Sequence, residues 1–337
     1  MNAGVGATSL HRVLDLWFED GSVVLQAENA QYCVYRGILA RRSPIFADMF
    51  AVGVPNTADA VDGCPLVVLS DTETDMTHFL KALFDTEFFR PFPELTTFPV
   101  LSGCLRLAHK YEVADLRDRA LIHLSSRFRT ELAAHADMRY RPAARLRKKL
   151  QLEHIATWPA LISEFLVDAL HLARLADALW LVPSILYHIS VQVAAGETIH
   201  LSLPAADQEL IVKASPSLER ATRGLVNDFS DRAEPEDCDS PDNCYLARNE
   251  FILDNNFAVT DLFKEKNPFN ALEFLESAME DLRENEEHCA ACARDIKANM
   301  RAGMQELWDA FPEMFGLPGW SVLSEMKERA LGLNSIV

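Results

Sequence analysis

Cysteine is the residue type with the richest chemical options in this sequence of 337 residues, which contains seven cysteines. Four of them form two couples near the C-terminus: Cys238 and Cys244 are separated by five residues, and Cys289 and Cys292 by two. Zn²⁺ takes four sulfur or nitrogen ligands in a tetrahedral arrangement, and the shorter spacing is the usual one for such a couple. The pattern predicts a structural zinc site made by these four thiolates, with His288 as a substitute ligand.

Two other interpretations of the same cysteines stay open at this point. Cys289 and Cys292 would face the core as small apolar side chains, with Cys238 and Cys244 simply exposed. A redox Cys-x-x-Cys is disfavoured, because no strand–helix–strand pattern surrounds it. The odd number of cysteines and an N-terminus unlike a secretion signal favour a reducing, intracellular compartment (cytoplasm or nucleus) over a disulfide framework.

Composition excludes several classes of function. The formal net charge is −18 and 49% of residues are hydrophobic, so a globular chain is expected and nucleic acid or an anionic membrane is an unfavourable partner. No run of about 18 apolar residues predicts a membrane-spanning helix. The sequence lacks Gly-x-Ser-x-Gly, a phosphate-binding loop and His-Glu-x-x-His, so no enzyme activity is expected.

The elements that must position any site fall into two halves. Residues 13–35 alternate like strands, and Asp20-Gly21 predicts a hairpin turn between the first two. Ser43-Pro44 and Thr72 are typical helix starts. The expected order is three strands, a helix, a strand and three helices, which is an α+β arrangement with a small sheet flanked by helices.

Beyond residue 128 only helices are predicted. They include a long helix over 162–179, a pair over 205–214 and 217–228 on either side of Pro216, and further helices near 245–264, 269–283 and 286–311. The expected units are a disordered tail 1–12, an α+β domain 13–128, a helical region 129–227, an acidic loop 228–244 and C-terminal helices 245–337.

The stretch Leu14–Phe128 resembles a BTB/POZ domain. The residues that carry the resemblance are Asp15-Leu16, the segment Tyr32–Phe50 with its Leu39-Ala40 pair and Ser43-x-x-Phe46, and the run Leu105-x-x-Ala108-x-x-Tyr111-x-x-x-x-Leu116. The run Leu16–Gly21 is similar to the fungal, basidiomycete-type members of that family. The resemblance implies a non-enzymatic protein–protein interaction module, acting as an adaptor or scaffold that binds other proteins, including a second copy of itself.

Three departures from the family pattern narrow these expectations. Tyr35 stands where the family has a histidine. Few residues precede Asp15, which disfavours dimerisation through an added N-terminal helix. The loop 51–63 has no Glu, which weakens an alternative function as substrate adaptor of a cullin ubiquitin ligase. A second alternative, a nuclear transcriptional regulator, lacks a recognisable nucleic-acid-binding module.

Three further groups of residues are candidate sites. Asp15 and Arg36 correspond to charges that line the groove of some BTB dimers; alternatively they form an internal pair that closes a strand corner. Phe84, Phe88 and Phe89 are candidate interaction anchors or the apolar lid of the core. A basic cluster is either an import or phosphate-binding patch or a solvated face; its members are Arg139, Arg141, Arg145, Arg147, Lys148 and Lys149.

Overall fold

A computed structural model describes residues 9–52, 60–128, 130–132 and 163–332 of the chain. The first of two regions is mixed α+β. Its elements are β1 (His11–Trp17), β2 (Val23–Ala27), β3 (Ala30–Val34), α1 (Arg36–Arg42), α2 (Pro44–Ala51), β4 (Ala60–Val61), β5 (Cys64–Leu69), α3 (Glu73–Phe84), α4 (Phe98–Lys110) and α5 (Ala114–Ser125).

The small sheet has five strands in the order β1-β3-β2-β5-β4. β2 and β3 are antiparallel and joined by a tight turn at Glu28, whereas β1 runs parallel to β3 and β5 parallel to β2. The hairpin predicted around Asp20-Gly21 is therefore wrong. All five residues of β3 are buried, while β1 is mostly exposed, so β3 takes the interior position between two neighbours and β1 the edge.

Helices cover this sheet, and their starts follow the predicted capping chemistry. The Ser43 hydroxyl accepts a hydrogen bond from the Phe46 N–H at 3.0 Å, and Thr72 accepts one from the Asp75 N–H at 3.2 Å. Both caps satisfy a backbone donor that has no partner inside the helix. The Ser43 hydroxyl also donates to the Tyr111 carbonyl at 2.5 Å, which connects α2 to the end of α4.

The second region contains only helices among its described residues. They are α6 (Ser163–Leu175), α7 (Val182–Ala194), α8 (Ala205–Ser230), α9 (Pro241–Asp254), α10 (Asn256–Glu265), α11 (Pro268–Glu284), α12 (Ala290–Met314) and α13 (Trp320–Ala330), with short 3₁₀ turns at Leu179–Leu181 and Ile199–Ser202. Among the described helices, none is long and apolar enough to cross a lipid bilayer.

Several predicted boundaries in this region are corrected by the structure. Pro216 lies inside one continuous helix, because the buried side chains of Ile211, Ala214 and Leu218 on both sides of it pack into the same core. The predicted acidic loop 228–244 shrinks to residues 231–240, since α8 extends to Ser230 and α9 begins at Pro241. α13 lies in the predicted unit of C-terminal helices 245–337, although no separate bounds were predicted for it. α6 ends four residues early, just before Asp177 adopts a left-handed backbone.

The apolar cores of the two regions are continuous. The Phe98 and Phe165 rings stack with centroids 4.5 Å apart, and the Trp180 indole N–H donates to the Ser125 hydroxyl at 3.1 Å. Arg117 donates to the Ala176 carbonyl at 3.2 Å. These contacts hold α6 and the turn after it against α4 and α5 of the sheet region. They therefore help to place the helices that carry the cysteine couples.

Candidate metal centre

Three chain segments bring the four predicted cysteines together. Cys238 lies in the connection between α8 and α9, Cys244 in the first turn of α9, and Cys289 is the N-cap of α12. Cys292 follows one turn later on the buried side of α12. A connection that cannot bury much apolar surface is thereby joined to the starts of two helices.

The sulfur atoms lie close to the spacing that a tetrahedral metal requires. All four lie within 4.8 Å of one another. Cys238 Sγ is 3.2 Å from Cys292 Sγ and 3.7 Å from Cys289 Sγ. Four zinc–sulfur bonds of about 2.3 Å place tetrahedral sulfurs roughly 3.8 Å apart, so the four thiols need only small adjustments to hold one ion.

Backbone N–H groups point at two of these sulfurs. The Cys289 N–H donates to Cys244 Sγ at 3.3 Å, and the Cys292 N–H donates to Cys289 Sγ at 3.4 Å. Such donors favour the thiolate over the thiol. Burial opposes ionisation of Cys289, but the N–H groups of Cys292 and Asp239 outweigh it and lower the pKa of this thiol to about 7.

Burial has the largest effect on the pKa values of Cys244 and Cys292. Burial raises the pKa of Cys244 and also that of Cys292, where contacts with the Cys238 and Cys289 thiols act in the same direction. Four close sulfurs with one easily formed thiolate are chemically suited to a cation that displaces the remaining protons on binding.

Arg248 and Glu234 stabilise the segment that carries Cys238. Arg248 lies one turn after Cys244 on the inward face of α9 and is completely buried. Its Nη2 donates to the Arg232 carbonyl at 2.8 Å and to the Glu234 carboxylate at 2.6 Å. Arg232 in turn forms an ion pair with Asp295 of α12 at 2.5 Å. The connection is thus attached to both helices by charged groups next to the thiols.

His288 is not among the clustered ligands, although the sequence suggested it as a substitute. Its Nδ1 lies 3.2 Å from the Cys289 carbonyl oxygen, and its buried Nε2 has no hydrogen-bond partner among the described residues. Burial and the neighbouring Arg248 charge lower the pKa of His288. The alternative in which Cys238 and Cys244 are simply exposed is also wrong, because Cys244 is 1% exposed and Cys238 is half-buried.

Asp15 and Arg36 do not pair with each other. Asp15 on β1 binds the Lys81 ammonium of α3 at 2.8 Å, and this contact lowers the pKa of Asp15. Arg36 donates to the Phe50 carbonyl at 2.7 Å and lies over the Phe50 ring. The internal pair is therefore wrong, because each charge finds a partner on another element; the groove role stays a prediction.

The three candidate aromatic anchors contact the core. Phe89 is 1% exposed, its ring packs on His123, and it is wrong as a surface anchor. Phe84 and Phe88 are half-buried: Phe84 packs against Phe18, and Phe88 stacks on His78. Their contacts fit the lid of the core better than a protruding anchor.

The basic cluster 139–149 and the tail 1–8 lie outside the described residues. Sequence reasoning also missed Arg248 and Glu234. The four-residue offset of Arg248 from Cys244 was a usable signal, whereas Glu234 lies in the connection 231–240, to which no helical spacing applies. Positions four apart on a helix share a face, so a helix with Cys244 facing inward necessarily turns Arg248 inward as well.

No family model, no curated protein and no solved structure matches this chain in the three comparisons made.

Proposed function

We propose that the four cysteines bind one structural zinc ion, and that this ion holds the connection 231–240 against the starts of α9 and α12. The observation that carries the proposal is the clustering of four sulfurs, with nothing but thiol groups as the clustered ligands, within 4.8 Å. Four thiolates suit Zn²⁺ in a closed structural site, with no position left for substrate. The proposed role is accordingly structural and not catalytic.

We propose further that the whole chain is a non-enzymatic, intracellular adaptor or scaffold, with a BTB/POZ-type interaction domain over residues 13–128. The support is the order of elements after Val23: a hairpin, two short helices, two further strands and three helices around a small sheet. The sequence resemblance covers the same residues. Free cysteines in both regions are compatible with a reducing compartment.

Elemental analysis of the purified full-length chain tests the zinc site. One zinc per chain is expected, with loss of the metal in Cys238→Ser and Cys292→Ser. Cys104→Ser is the matched control, because Cys104 is a buried thiol of the sheet region that bonds the His78 carbonyl and lies outside the cluster. A metal content near zero in the wild-type protein purified with all thiols reduced, or iron in place of zinc, would contradict the proposal.

Quantitative affinity purification with mass spectrometry tests the adaptor role. At least one protein partner is expected in a fixed ratio to the full-length chain, and its recovery should fall when Lys81 and Asp15 on the sheet region are both changed to alanine. A cullin among stoichiometric partners would establish the ligase-adaptor alternative. A monomeric chain that retains no stoichiometric partner would count against an adaptor of any kind.

A further inference from the structure

The outward face of α9 and α10 carries three large apolar side chains that contact water. Leu246 is 53% exposed, Leu253 73% and Phe257 89%. The Asn255 N–H bonds the Phe251 carbonyl at the end of α9, and the Val259 N–H bonds the Asn255 carbonyl at the start of α10. Leu246 and Leu253, seven residues apart, share one face of α9, and Phe257 follows in the first turn of α10.

Carboxylates stand beside these apolar side chains on α9. Asp242, Glu250 and Asp254 are exposed, and none forms an ion pair within the part of the chain that the structure describes. From Pro241 to Phe263 the only basic residue is Arg248, which is buried. We call the face formed by Asp242, Leu246, Glu250, Leu253 and Phe257 the acidic ridge.

We propose that the acidic ridge binds a basic amphipathic segment of a partner protein, with leucine-like side chains against its apolar residues and Lys or Arg against its carboxylates. The proposal rests on the adaptor function above and names the class of partner. Charge favours this occupant, because carboxylates that have no ion-pair partner among the described residues, next to exposed apolar groups, attract a cationic segment. A second copy of the ridge or an anionic membrane would be repelled by the same charges.

The inward face of α9 explains how the ridge is presented. The fully buried residues of this helix are Cys244 and Arg248, and its half-buried Phe251 packs against the rings of Phe229 and Phe274. The thiol cluster, the bonds from Arg248 to the 231–240 connection and this aromatic packing therefore position α9. Leu246 and Leu253, on the other face, stay exposed. The metal centre and the ridge occupy opposite faces of one helix, which makes them separable by mutation.

Fluorescence anisotropy with the full-length, metal-containing protein tests the ridge. The probe is a labelled synthetic helix of Leu and Lys, and the matched probe has Glu in place of every Lys. The Lys probe is expected to bind, more weakly as salt rises, and the Glu probe is not. Leu253→Ser/Phe257→Ser and Asp242→Asn/Glu250→Gln should each raise the Kd about tenfold or more.

The control variant is Leu14→Ser/Leu95→Ser, which removes two exposed leucines (81% and 66% exposed) from the sheet region and should leave the Kd unchanged. Zinc content is measured on every variant. Absence of zinc would contradict the proposed metal site, independently of the binding measurements that test the ridge. Equal binding by wild type and both ridge variants, or by both probes, would overturn the inference. A wild-type dimer that becomes monomeric in the ridge variants would also overturn it, because the occupant would then be a second copy.

Discussion

The sheet region and the connection around the cysteines achieve order by different chemistry. In the sheet region every helix buries apolar side chains, and Phe46, Phe79 and Tyr111 are packed without contact to water. In α9 the buried residues are a thiol and a guanidinium. The first region is stabilised by removing apolar surface from water. The second is characterised by clustered thiols and by the hydrogen bonds of a buried guanidinium.

The two regions should therefore differ in how much stability a single substitution removes. Apolar packing is spread over many contacts, so a single substitution removes only part of it. The four clustered thiols and the buried Arg248 guanidinium concentrate the interactions of the second region in a few atoms. Loss of any one of these groups leaves polar groups buried without partners. Perturbing each region separately tests whether they respond differently.

Removal of the proposed zinc is expected to have the largest effect, because structural zinc binding contributes on the order of 10 kcal/mol in small domains. Chelation should increase amide hydrogen exchange in residues 231–254 and at the start of α12, while β2 and β3 stay protected. Hydrogen exchange with mass spectrometry gives this measurement by segment. Equal exchange of both regions before and after metal loss would abolish the contrast between them.

Truncation of a core aromatic ring should produce the reverse pattern. Phe46 is fully buried, with its ring stacked on Tyr111 at 4.4 Å and on Phe50 at 5.8 Å. Phe46→Ala is expected to lower the free energy of unfolding by about 4 kcal/mol, measured by urea denaturation, without changing metal content. Phe46→Leu fills more of the cavity, so it should lower the free energy of unfolding much less. An equal decrease in the two variants would argue that the packing around Phe46 is loose.

Arg248→Ala is expected to lower the free energy of unfolding by about 3 kcal/mol. The substitution leaves Glu234 and the Arg232 carbonyl without their buried partner. Arg248→Met/Glu234→Gln, which replaces the ion pair by a neutral pair of similar volume, should recover much of that loss. The unfolding free energies of both variants are measured with the metal present. No recovery in the double variant would show that the guanidinium acts on the thiol cluster and not through Glu234.

The two regions also differed in how far sequence could predict them. The caps at Ser43 and Thr72 and the four-cysteine cluster were predictable, because local chemistry and ligand spacing determine them. The neighbours of β1 were not, since alternation reveals that a segment is a strand but not which strand it pairs with. The partners of Asp15 and Arg36 also failed, because Lys81 and the Phe50 carbonyl come from elements that only the tertiary structure brings near. The helix break predicted at Pro216 failed for a related reason, because packing on both sides of this residue outweighs its helix-breaking propensity.

Acidification should give the smallest effect and should act on the sheet region through His123. This side chain is completely buried, and its Nε2–H donates to the Arg90 carbonyl at 2.9 Å. Burial lowers the pKa of His123, the Arg90 carbonyl raises it and the Arg119 charge lowers it, with a net decrease. The unfolded chain then binds the proton more readily than the folded one, so stability falls as pH drops from above about 6.5 toward the folded-state pKa. His123→Gln removes this titration, and the difference in unfolding free energy between wild type and variant should shrink as pH falls. Since metal release affects both proteins alike, a difference that is constant with pH would show that His123 does not carry the acid sensitivity of the sheet region.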